Sequence, residues 1–254
     1  MNILFTICGR AGSKGIRNKN IRNFLGYPLP YYTFSAIALY INNQQKYKID
    51  VVLNTDSKEL MQLTKNNPFL PIDIVKRKEE LSGDRVPKPV VILDSLQQCE
   101  ACCHKKYDMV VDFDITSPLR TVEDIRNLIE TQGLGRSDVT FSVTDSRRNP
   151  YFNMVIETKD GIKKVLESDY VARQQAPDIY DMNASLYAYS PEFLRKRLGV
   201  LDGRCSVVKM MDTGILDLDH ENDFELMEVI AEYLFRNKIE FREIYYFLRC
   251  KING

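Results

Sequence analysis

The segment GRAGSKGIRNKN, residues 9–20, joins small and cationic residues directly after the apolar run ILFTIC. It contains three glycines and four cationic side chains, and it has no acidic residue. Glycine lets the backbone approach a ligand closely or adopt positive φ, so that N–H groups converge on an anion. Lysine and arginine add positive charge, and serine and asparagine add uncharged hydrogen-bonding groups. The residues that predict a polyphosphate site are Gly9, Arg10, Gly12, Ser13, Lys14, Gly15, Lys19 and Asn20.

Neither standard phosphate-binding pattern matches this segment. A P-loop needs four residues between its first glycine and a terminal Gly-Lys-Ser/Thr, and the dinucleotide fingerprint needs a different glycine spacing. A solvated basic turn is the alternative interpretation. Position favours the phosphate site, because ligands of open α/β sheets bind outside the carboxyl ends of the strands.

Two pairs of aspartates end predicted strands, one in VVDFDITSPLR and one in GILDLDHENDF. Residues i and i+2 of an extended segment point to the same side, so each pair presents both carboxylates to one face. Two such charges about 4 Å apart repel by about 4 kcal/mol at an effective dielectric of about 20, and a bound cation removes that cost. Hard oxygen ligands beside a phosphate substrate suit Mg²⁺ (or Mn²⁺). We therefore expect a metal at these two pairs, Asp112 with Asp114 and Asp217 with Asp219, and the alternative is solvated acids at strand ends.

Composition excludes several classes of protein. The chain of 254 residues carries 35 basic and 35 acidic side chains, so we expect no nucleic acid and no membrane as a partner. No apolar stretch approaches the ~18–20 residues that span a bilayer, and no leader pattern is visible at Met1, which together predict a cytoplasmic protein. The run CEACCH lacks a second ligand pair for zinc and the spacing for haem, so we expect a helix there.

Strand-length runs rich in β-branched residues alternate with helical patterns up to about residue 140. The predicted strands are 3–8, 50–53, 72–75 and 109–113. Helices are predicted after Pro28, after a Ser57 cap, and after a capping box formed by Thr121 and Asp124. This alternation predicts an α/β fold with a mostly parallel, Rossmann-like nucleotide-binding sheet.

The pattern changes beyond this point. Three strand-like runs, TFSV, MVIETKDGIKKVLES and ASLYAYS, follow one another without an intervening helix, and Asp160 and Gly161 supply a hairpin turn. We interpret this change of pattern, between about 140 and 190, as a β-rich excursion from the main sheet, and we place the excursion at about 144–178 within a single domain that covers 1–254. A final helix after GILDLDHENDF returns the chain to the α/β core.

Four blocks of the sequence, in order, resemble the acylneuraminate cytidylyltransferases, also called CMP-sialic acid synthetases. The blocks are GRAGSKGIRNKN, KRKEELSGD, TSPLRTVEDI, and a fourth that runs from RQQAPDIYDMNASLYAY to DLDHENDF. They cover most of the chain. The form YDMNAS resembles the branch of this family that handles legionaminic acid or KDN.

The resemblance implies a nucleotidyltransferase domain whose protruding region, here 144–178, makes a homodimer. It implies that CMP passes from CTP to a nonulosonic (sialic-acid-like) 2-keto-3-deoxy sugar acid, with Mg²⁺ bound and pyrophosphate released. By matching positions, it assigns nucleotide binding to Arg10, Gly12, Ser13, Lys14, Lys19, Asn20, Arg77 and Asp114. It assigns the acid-sugar site to Arg173, Gln174 and Asn183, catalysis to Lys14, Lys19 and Asp217, and metal binding to Asp217 and Asp219.

The chain departs from the family pattern at two aspartates. The family commonly has glutamine at the position of Asp114, and an aspartate there resembles the extra metal-binding residue of the KDO cytidylyltransferases. Asp181 stands where sialic-acid enzymes often carry a basic residue. An acid repels the sugar carboxylate, so we expect Asp181 to face a hydroxyl, an amide or a cationic group.

Three alternatives stay open at this stage. A metal-dependent nucleotide-sugar glycosyltransferase would use Asp112 and Asp114 as its Asp-x-Asp motif, but it would leave the glycine-rich segment without a role. A KDO-type cytidylyltransferase would share the nucleotide site and differ in its sugar. A catalytically silent nucleotide-binding subunit is disfavoured, because a site that has lost its activity tends to lose charged groups that are costly to bring together.

Overall fold

The computed structural model describes the chain in five parts, residues 1–12, 15–83, 85–214, 218 and 220–254. For Arg173 only the backbone is described. Within these parts the chain forms one seven-stranded sheet, two short hairpins and seven α-helices.

The main sheet has six strands in one direction and one strand in the other. The strands of the chain are β1 (Asn2–Gly9), β2 (Asn23–Phe24), β3 (Tyr27–Pro28), β4 (Lys48–Thr55), β5 (Asp73–Lys76), β6 (Met109–Phe113), β7 (Val139–Asp145), β8 (Val155–Thr158), β9 (Gly161–Lys164), β10 (Tyr180–Tyr189) and β11 (Cys205–Lys209). Their order across the main sheet is β11-β7-β10-β6-β1-β4-β5. Strand β10 runs antiparallel to both of its neighbours, β6 and β7.

Helices cover both faces of this sheet. They are α1 (Leu29–Asn42), α2 (Lys58–Lys65), α3 (Lys88–Cys103), α4 (Val122–Gly133), α5 (Pro191–Lys196), α6 (Glu221–Asn237) and α7 (Ile239–Asn253). Helices α3 and α5 pack on one face, and the other α-helices share the core of the opposite face. The α/β prediction with a mostly parallel sheet is therefore confirmed, since parallel strands need helices on both faces.

Local signals in the sequence placed several elements correctly. The hydroxyl of Ser57 accepts a hydrogen bond from Leu60 N at the start of α2, and Thr121 and Asp124 form the predicted capping box at the start of α4. The CEACCH run lies at the end of α3, as predicted. The helix predicted after Pro28 is α1, and its residues are buried on nearly all sides, because α7 packs against it.

Two of the three strand-like runs at this change of pattern lie in the main sheet. The runs TFSV and ASLYAYS belong to β7 and β10 of the main sheet, so only the hairpin of β8 and β9 forms a separate sheet in this region. The two-residue turn of that hairpin is Lys159 and Asp160, and Gly161 opens β9 with a φ of 100°. Hydrogen-bond partners across the sheet, which the sequence does not show, decide which strands belong to it.

Five of the strands and α-helices were absent from the prediction, namely the short strands β2 and β3, helix α5, strand β11 and the terminal helix α7. Helix α7 buries Phe241, Ile244 and Leu248, which have helical spacing. None of the helices in the described ranges has the length and apolar character needed to cross a membrane.

Candidate active site

The loop after β1 is shaped by two glycines. A Cβ atom on Gly9 would lie 2.5 Å from Leu60 Cδ2 and 2.9 Å from Ile115 Cδ1, so a side chain there would require both neighbours to move. Gly12 has a φ of 69°, which favours glycine. These features explain the glycines as means of close packing and turning. Ser13 and Lys14, predicted to bind the nucleotide, lie outside the described residues.

The far end of the loop folds back on its beginning. Asn20 Nδ2 donates a hydrogen bond of 3.1 Å to the carbonyl oxygen of Arg10. Lys19 opens a short 3₁₀ helix, and its ammonium group donates a hydrogen bond of 2.6 Å to the carbonyl oxygen of Leu218. Leu218 therefore contacts the cationic loop. Asp217 and Asp219, predicted as metal ligands, lie outside the described residues.

A cleft of about 280 Å³ opens at the carboxyl end of the parallel strands. Arg10, Arg77 and Asp114, each the next residue after β1, β5 and β6 respectively, contribute to its lining. Lys19 and Asn20 also line it, so the structure brings together five of the predicted nucleotide-binding residues. Their contact with a nucleotide stays a prediction. The excess of cations fits an anionic ligand.

The side chain of Arg77 is fixed by hydrogen bonds to β4. Its side chain is buried, and it donates hydrogen bonds of 2.9 Å to Asn54 Oδ1 and 3.0 Å to the carbonyl oxygen of Asn54. Asn54 Nδ2 in turn donates to Ser95 Oγ of α3, at 3.0 Å. Because the acceptors are fixed by β4 and α3, the guanidinium group is preorganised at the cleft.

A lysine that sequence analysis missed lies between two predicted aspartates. The ammonium nitrogen of Lys88, at the start of α3, is 2.7 Å from Asp112 Oδ2 and 2.8 Å from Asp114 Oδ2. Burial favours the neutral form of Lys88, but the two carboxylates outweigh it and hold the pKa of the lysine well above its ordinary value. The two aspartates do face the same side, as the i, i+2 spacing predicts, and in the structure their repulsion is relieved by an ammonium group.

The floor of the cleft contains a thiol as well. Burial, followed by the nearby carboxylate of Asp112, raises the pKa of the Cys8 thiol well above its ordinary value. A protonated thiol is a poor nucleophile. Cys8 therefore has no role as an attacking group at neutral pH.

Arg120 is a second residue for which the sequence analysis predicted no role. It belongs to the TSPLR block and is 1 % exposed. Its guanidinium group donates to Thr33 Oγ1 at 3.0 Å, and also to the carbonyl oxygen of Asp114 and to the hydroxyl and carbonyl of Ser185. Arg120 thereby fixes the backbone at Asp114, and its position inside a matched block was the available signal.

The described residues do not complete a divalent metal site. Asp114 Oδ1 accepts hydrogen bonds from the backbone N–H and the hydroxyl of Thr116, at 2.8 and 2.7 Å, and its Oδ2 faces Lys88. Within the part of the chain that the structure describes, no group of three His, Cys, Asp or Glu residues is placed to hold a metal ion. The arrangement at Asp114 therefore does not fit a metal ligand, and the metal role of Asp217 and Asp219 stays a prediction.

Of the predicted acid-sugar residues, Gln174 and Asn183 line two different hollows. Gln174 lines a hollow of about 470 Å³, together with Lys209 and residues after β7. Asn183 lies in an irregular part of β10 and is buried, with its Oδ1 accepting a hydrogen bond of 2.6 Å from Ser142 Oγ. Asp181 Oδ1 accepts a hydrogen bond of 3.0 Å from the hydroxyl of Ser146. The side chain of Arg173 lies outside the described residues, so the acid-sugar site stays a prediction.

Comparison with known proteins decides the family. The cytidylyltransferase family model matches residues 4–244. The chain belongs to the cytidylyltransferase family. It is therefore an enzyme, a CTP-dependent nucleotidyltransferase, and the family match selects this hypothesis over the glycosyltransferase and the silent subunit.

Individual relatives of this cytidylyltransferase cover nearly its whole length. Post-translational flagellin modification protein B of Campylobacter coli is 33 % identical over 231 residues, which are 91 % of this chain and 95 % of that protein. CMP-N,N'-diacetyllegionaminic acid synthase of Campylobacter jejuni is 31 % identical over 228 residues, with coverages of 90 % and 94 %.

Solved structures share the fold. The structure of CMP:2-keto-3-deoxy-manno-octonic acid synthetase complexed with CTP has a TM-score of 0.64 to this chain at 12 % identity, and the match covers 92 % of this chain and 99 % of that one. At this identity the likeness shows the fold of the cytidylyltransferase and no more.

Proposed function

We propose that this cytidylyltransferase transfers CMP from CTP to a nonulosonic, sialic-acid-like 2-keto-3-deoxy sugar acid and releases pyrophosphate. The observation that carries the proposal is the cleft, where Arg10, Lys19, Arg77 and Lys88 converge at the carboxyl end of the sheet. Four cations with one carboxylate in the same lining suit a triphosphate. The relative named CMP-N,N'-diacetyllegionaminic acid synthase supports an acceptor of this class.

The lining of the cleft also suits the nucleoside part of CTP. Leu81, Val86 and Val91 contribute apolar surface, which can pack against the faces of a base. Arg10 and Lys19, on the loop after β1, supply the charges for the phosphates. We assign Gly12, Ser13, Lys14 and Asn20 to the same phosphate-binding loop.

The proposed chemistry is a single displacement at phosphorus. The anomeric hydroxyl of the sugar attacks the α-phosphorus of CTP, a new P–O bond forms, and the bond to the pyrophosphate leaving group breaks. Lys14 and Lys19 would stabilise the charge that develops on the phosphates, and Asp217 would accept the hydroxyl proton. Arg173, Gln174 and Asn183 would bind the acceptor. When bound, Mg²⁺ (or Mn²⁺) supplies charge neutralisation of the triphosphate, and Asp217 and Asp219 are its proposed ligands.

The test is an assay of pyrophosphate release from CTP and Mg²⁺ with a panel of nonulosonic acids, including legionaminic acid, N-acetylneuraminate, KDN and KDO. The proposal predicts release with at least one sialic-acid-like acceptor and formation of the matching CMP-sugar. Release with KDO alone would identify the KDO-type enzyme instead. Consumption of a preformed nucleotide sugar without pyrophosphate release would contradict the proposal.

We further propose a homodimer formed through the region 144–178. The hairpin of β8 and β9 exposes large apolar side chains, with Val155 at 63 % and Ile162 at 65 %. Both residues lie on the same face of the hairpin, because Glu157 pairs with Ile162 and side chains alternate along a strand. Clustered exposed apolar residues are typical of an interface.

Light scattering on the purified chain tests the dimer. The wild type should have twice the chain mass of 29.5 kDa, and the variant Val155→Asp/Ile162→Asp should be monomeric. Leu134→Asp is the control, since Leu134 is equally exposed at 64 % but lies beyond the end of α4. A wild-type monomer, or a double variant that stays dimeric, would contradict this interface.

We propose a cytoplasmic location as well. All six cysteines are free thiols, which suits a reducing compartment. Cell fractionation with a membrane marker and a secreted marker would test it, and recovery outside the cytoplasmic fraction would contradict it.

A further inference from the structure

A lysine contacts the predicted metal ligand Asp114 inside the cleft. Lys88 follows Pro87 at the first position of α3, and its side chain is 32 % exposed where it lines the cleft. Its ammonium group bridges Asp112 and Asp114 at 2.7 and 2.8 Å. A single cation thus contacts both carboxylates of the pair.

Asp112 depends on that cation. Its side chain is 0 % exposed, and Thr6 Oγ1 donates a hydrogen bond of 2.8 Å to Oδ1. Among the described residues, Oδ2 of Asp112 is the one buried side-chain oxygen or nitrogen without a hydrogen bond, and its contact is the ion pair with Lys88. A buried carboxylate without a counter-charge is strongly unfavourable, so this site requires a cation at all times.

Both carboxylate oxygens of Asp114 already have partners. Thr116 occupies Oδ1 with its N–H and its hydroxyl, and Lys88 occupies Oδ2. A divalent ion needs oxygen ligands that it can reach at about 2.0–2.6 Å, and the ammonium group already lies where the two carboxylates converge. The ammonium group and a divalent ion therefore exclude each other at this point.

We propose that Lys88 is the resident cation of the pair formed by Asp112 and Asp114, so that a built-in ammonium group stands where two carboxylates would otherwise recruit a divalent ion. Asp114 is then a positioning residue for Lys88 and is not a metal ligand in this chain. The inference rests on the proposed function only for the view that the cleft holds CTP. The counter-charge of the carboxylate pair then does not depend on the metal concentration.

Mn²⁺ binding to the nucleotide-free full chain tests this directly, with free Mn²⁺ counted by electron paramagnetic resonance. Lys88→Ala should bind one more Mn²⁺ per chain than the wild type, and its melting temperature should rise with Mn²⁺ more than that of the wild type does. Lys88→Arg keeps the charge and should gain no Mn²⁺. Lys88→Ala/Asp114→Asn has lost one carboxylate and should gain none either.

Two results would overturn the inference. One is an equal Mn²⁺ stoichiometry in Lys88→Ala and the wild type. The other is the loss of a Mn²⁺ from Asp114→Asn, since that would identify Asp114 as a ligand. If Lys88→Ala does not fold, the same count on Lys88→Gln decides, because an extra Mn²⁺ supports the inference and its absence overturns it. The count uses no CTP, so it is independent of whether the proposed reaction is correct.

Discussion

Replacing Arg120 by methionine would remove a buried charge and keep most of the side-chain volume. The guanidinium group donates to Thr33 Oγ1 at 3.0 Å and to the carbonyl oxygen of Asp114, and its two contacts to Ser185 are longer, at 3.3 and 3.4 Å. Each of the two shorter bonds is worth about 1.5–3 kcal/mol, because the donor is charged. Methionine makes none of them.

The loss is partly offset. Burial of the guanidinium group, which outweighs the attraction of Asp114 and Asp112, lowers the pKa of Arg120 to about 10. The arginine is therefore still charged at neutral pH but is held at a desolvation cost that methionine escapes. The acceptors also keep other partners, since Asp114 N donates to the carbonyl oxygen of Ser185 at 3.1 Å. We expect a net loss of about 2–4 kcal/mol in the free energy of unfolding.

Urea unfolding monitored by far-UV circular dichroism and by tyrosine fluorescence would measure this loss. Tyrosine is the fluorophore, because the chain has 14 tyrosines and no tryptophan. Arg126→Met is the matched control on α4, since Arg126 is 43 % exposed and paired with the exposed Glu123. That control should stay within about 0.5 kcal/mol of the wild type. An Arg120→Met variant that loses less than about 1 kcal/mol would refute the view that these hydrogen bonds hold the backbone at Asp114.

Three further predictions concern the cleft. Gly9→Ala should lower the free energy of unfolding by about 1–3 kcal/mol, measured with urea, because its Cβ would clash with two core side chains. Gly133→Ala, with open space around it, should be neutral or stabilising. Equal effects of the two substitutions would contradict the packing argument. The pKa of Asp114 is held below its ordinary value, because its cationic and hydrogen-bonding partners outweigh burial. Its stabilisation is therefore present above about pH 4 and lost as pH falls through the folded-state pKa, so the stability gap between wild type and Asp114→Asn should be constant from about pH 5 to 8 and shrink below about pH 4. Lys19→Ala should raise the KM for CTP about tenfold or more in steady-state kinetics, as expected for a lost charged hydrogen bond, and the exposed Lys106→Ala should not; matching values would remove Lys19 from the nucleotide site.

Short-range patterns in the sequence were enough to predict much of the lining of the proposed nucleotide-binding cleft. Glycines and cations directly after an apolar run indicated the loop after β1, and Arg10 and Asn20 do lie at the cleft. Capping residues such as Ser57 and Thr121 marked helix starts, because their hydroxyls act within three residues along the chain. Signals of this kind are short in range and can be read without the fold.

The rest depends on contacts between distant segments. Lys88 pairs with aspartates that lie more than twenty residues further along the chain, and nothing in the local pattern around it indicates that partner. The strand ASLYAYS was visible, but its place between β6 and β7 is set by hydrogen bonds across the sheet. Helix α7 was missed although Phe241, Ile244 and Leu248 have helical spacing, because a single residue separates it from α6.

The reversed direction of β10 determines how this region can change. The chain leaves the sheet after Asp145 and re-enters it at Tyr180, and these two residues are direct partners across the two strands. Ser146 N also donates to the carbonyl oxygen of Ile179, at 3.0 Å, which closes the stem. The segment between Ser146 and Ile179 can therefore be exchanged, lengthened or redesigned while the strand order is kept. The proposed dimer hairpin and the proposed acceptor residue Gln174 both lie in this segment, so a change there would alter both proposals without changing the order of the strands that carry the cleft.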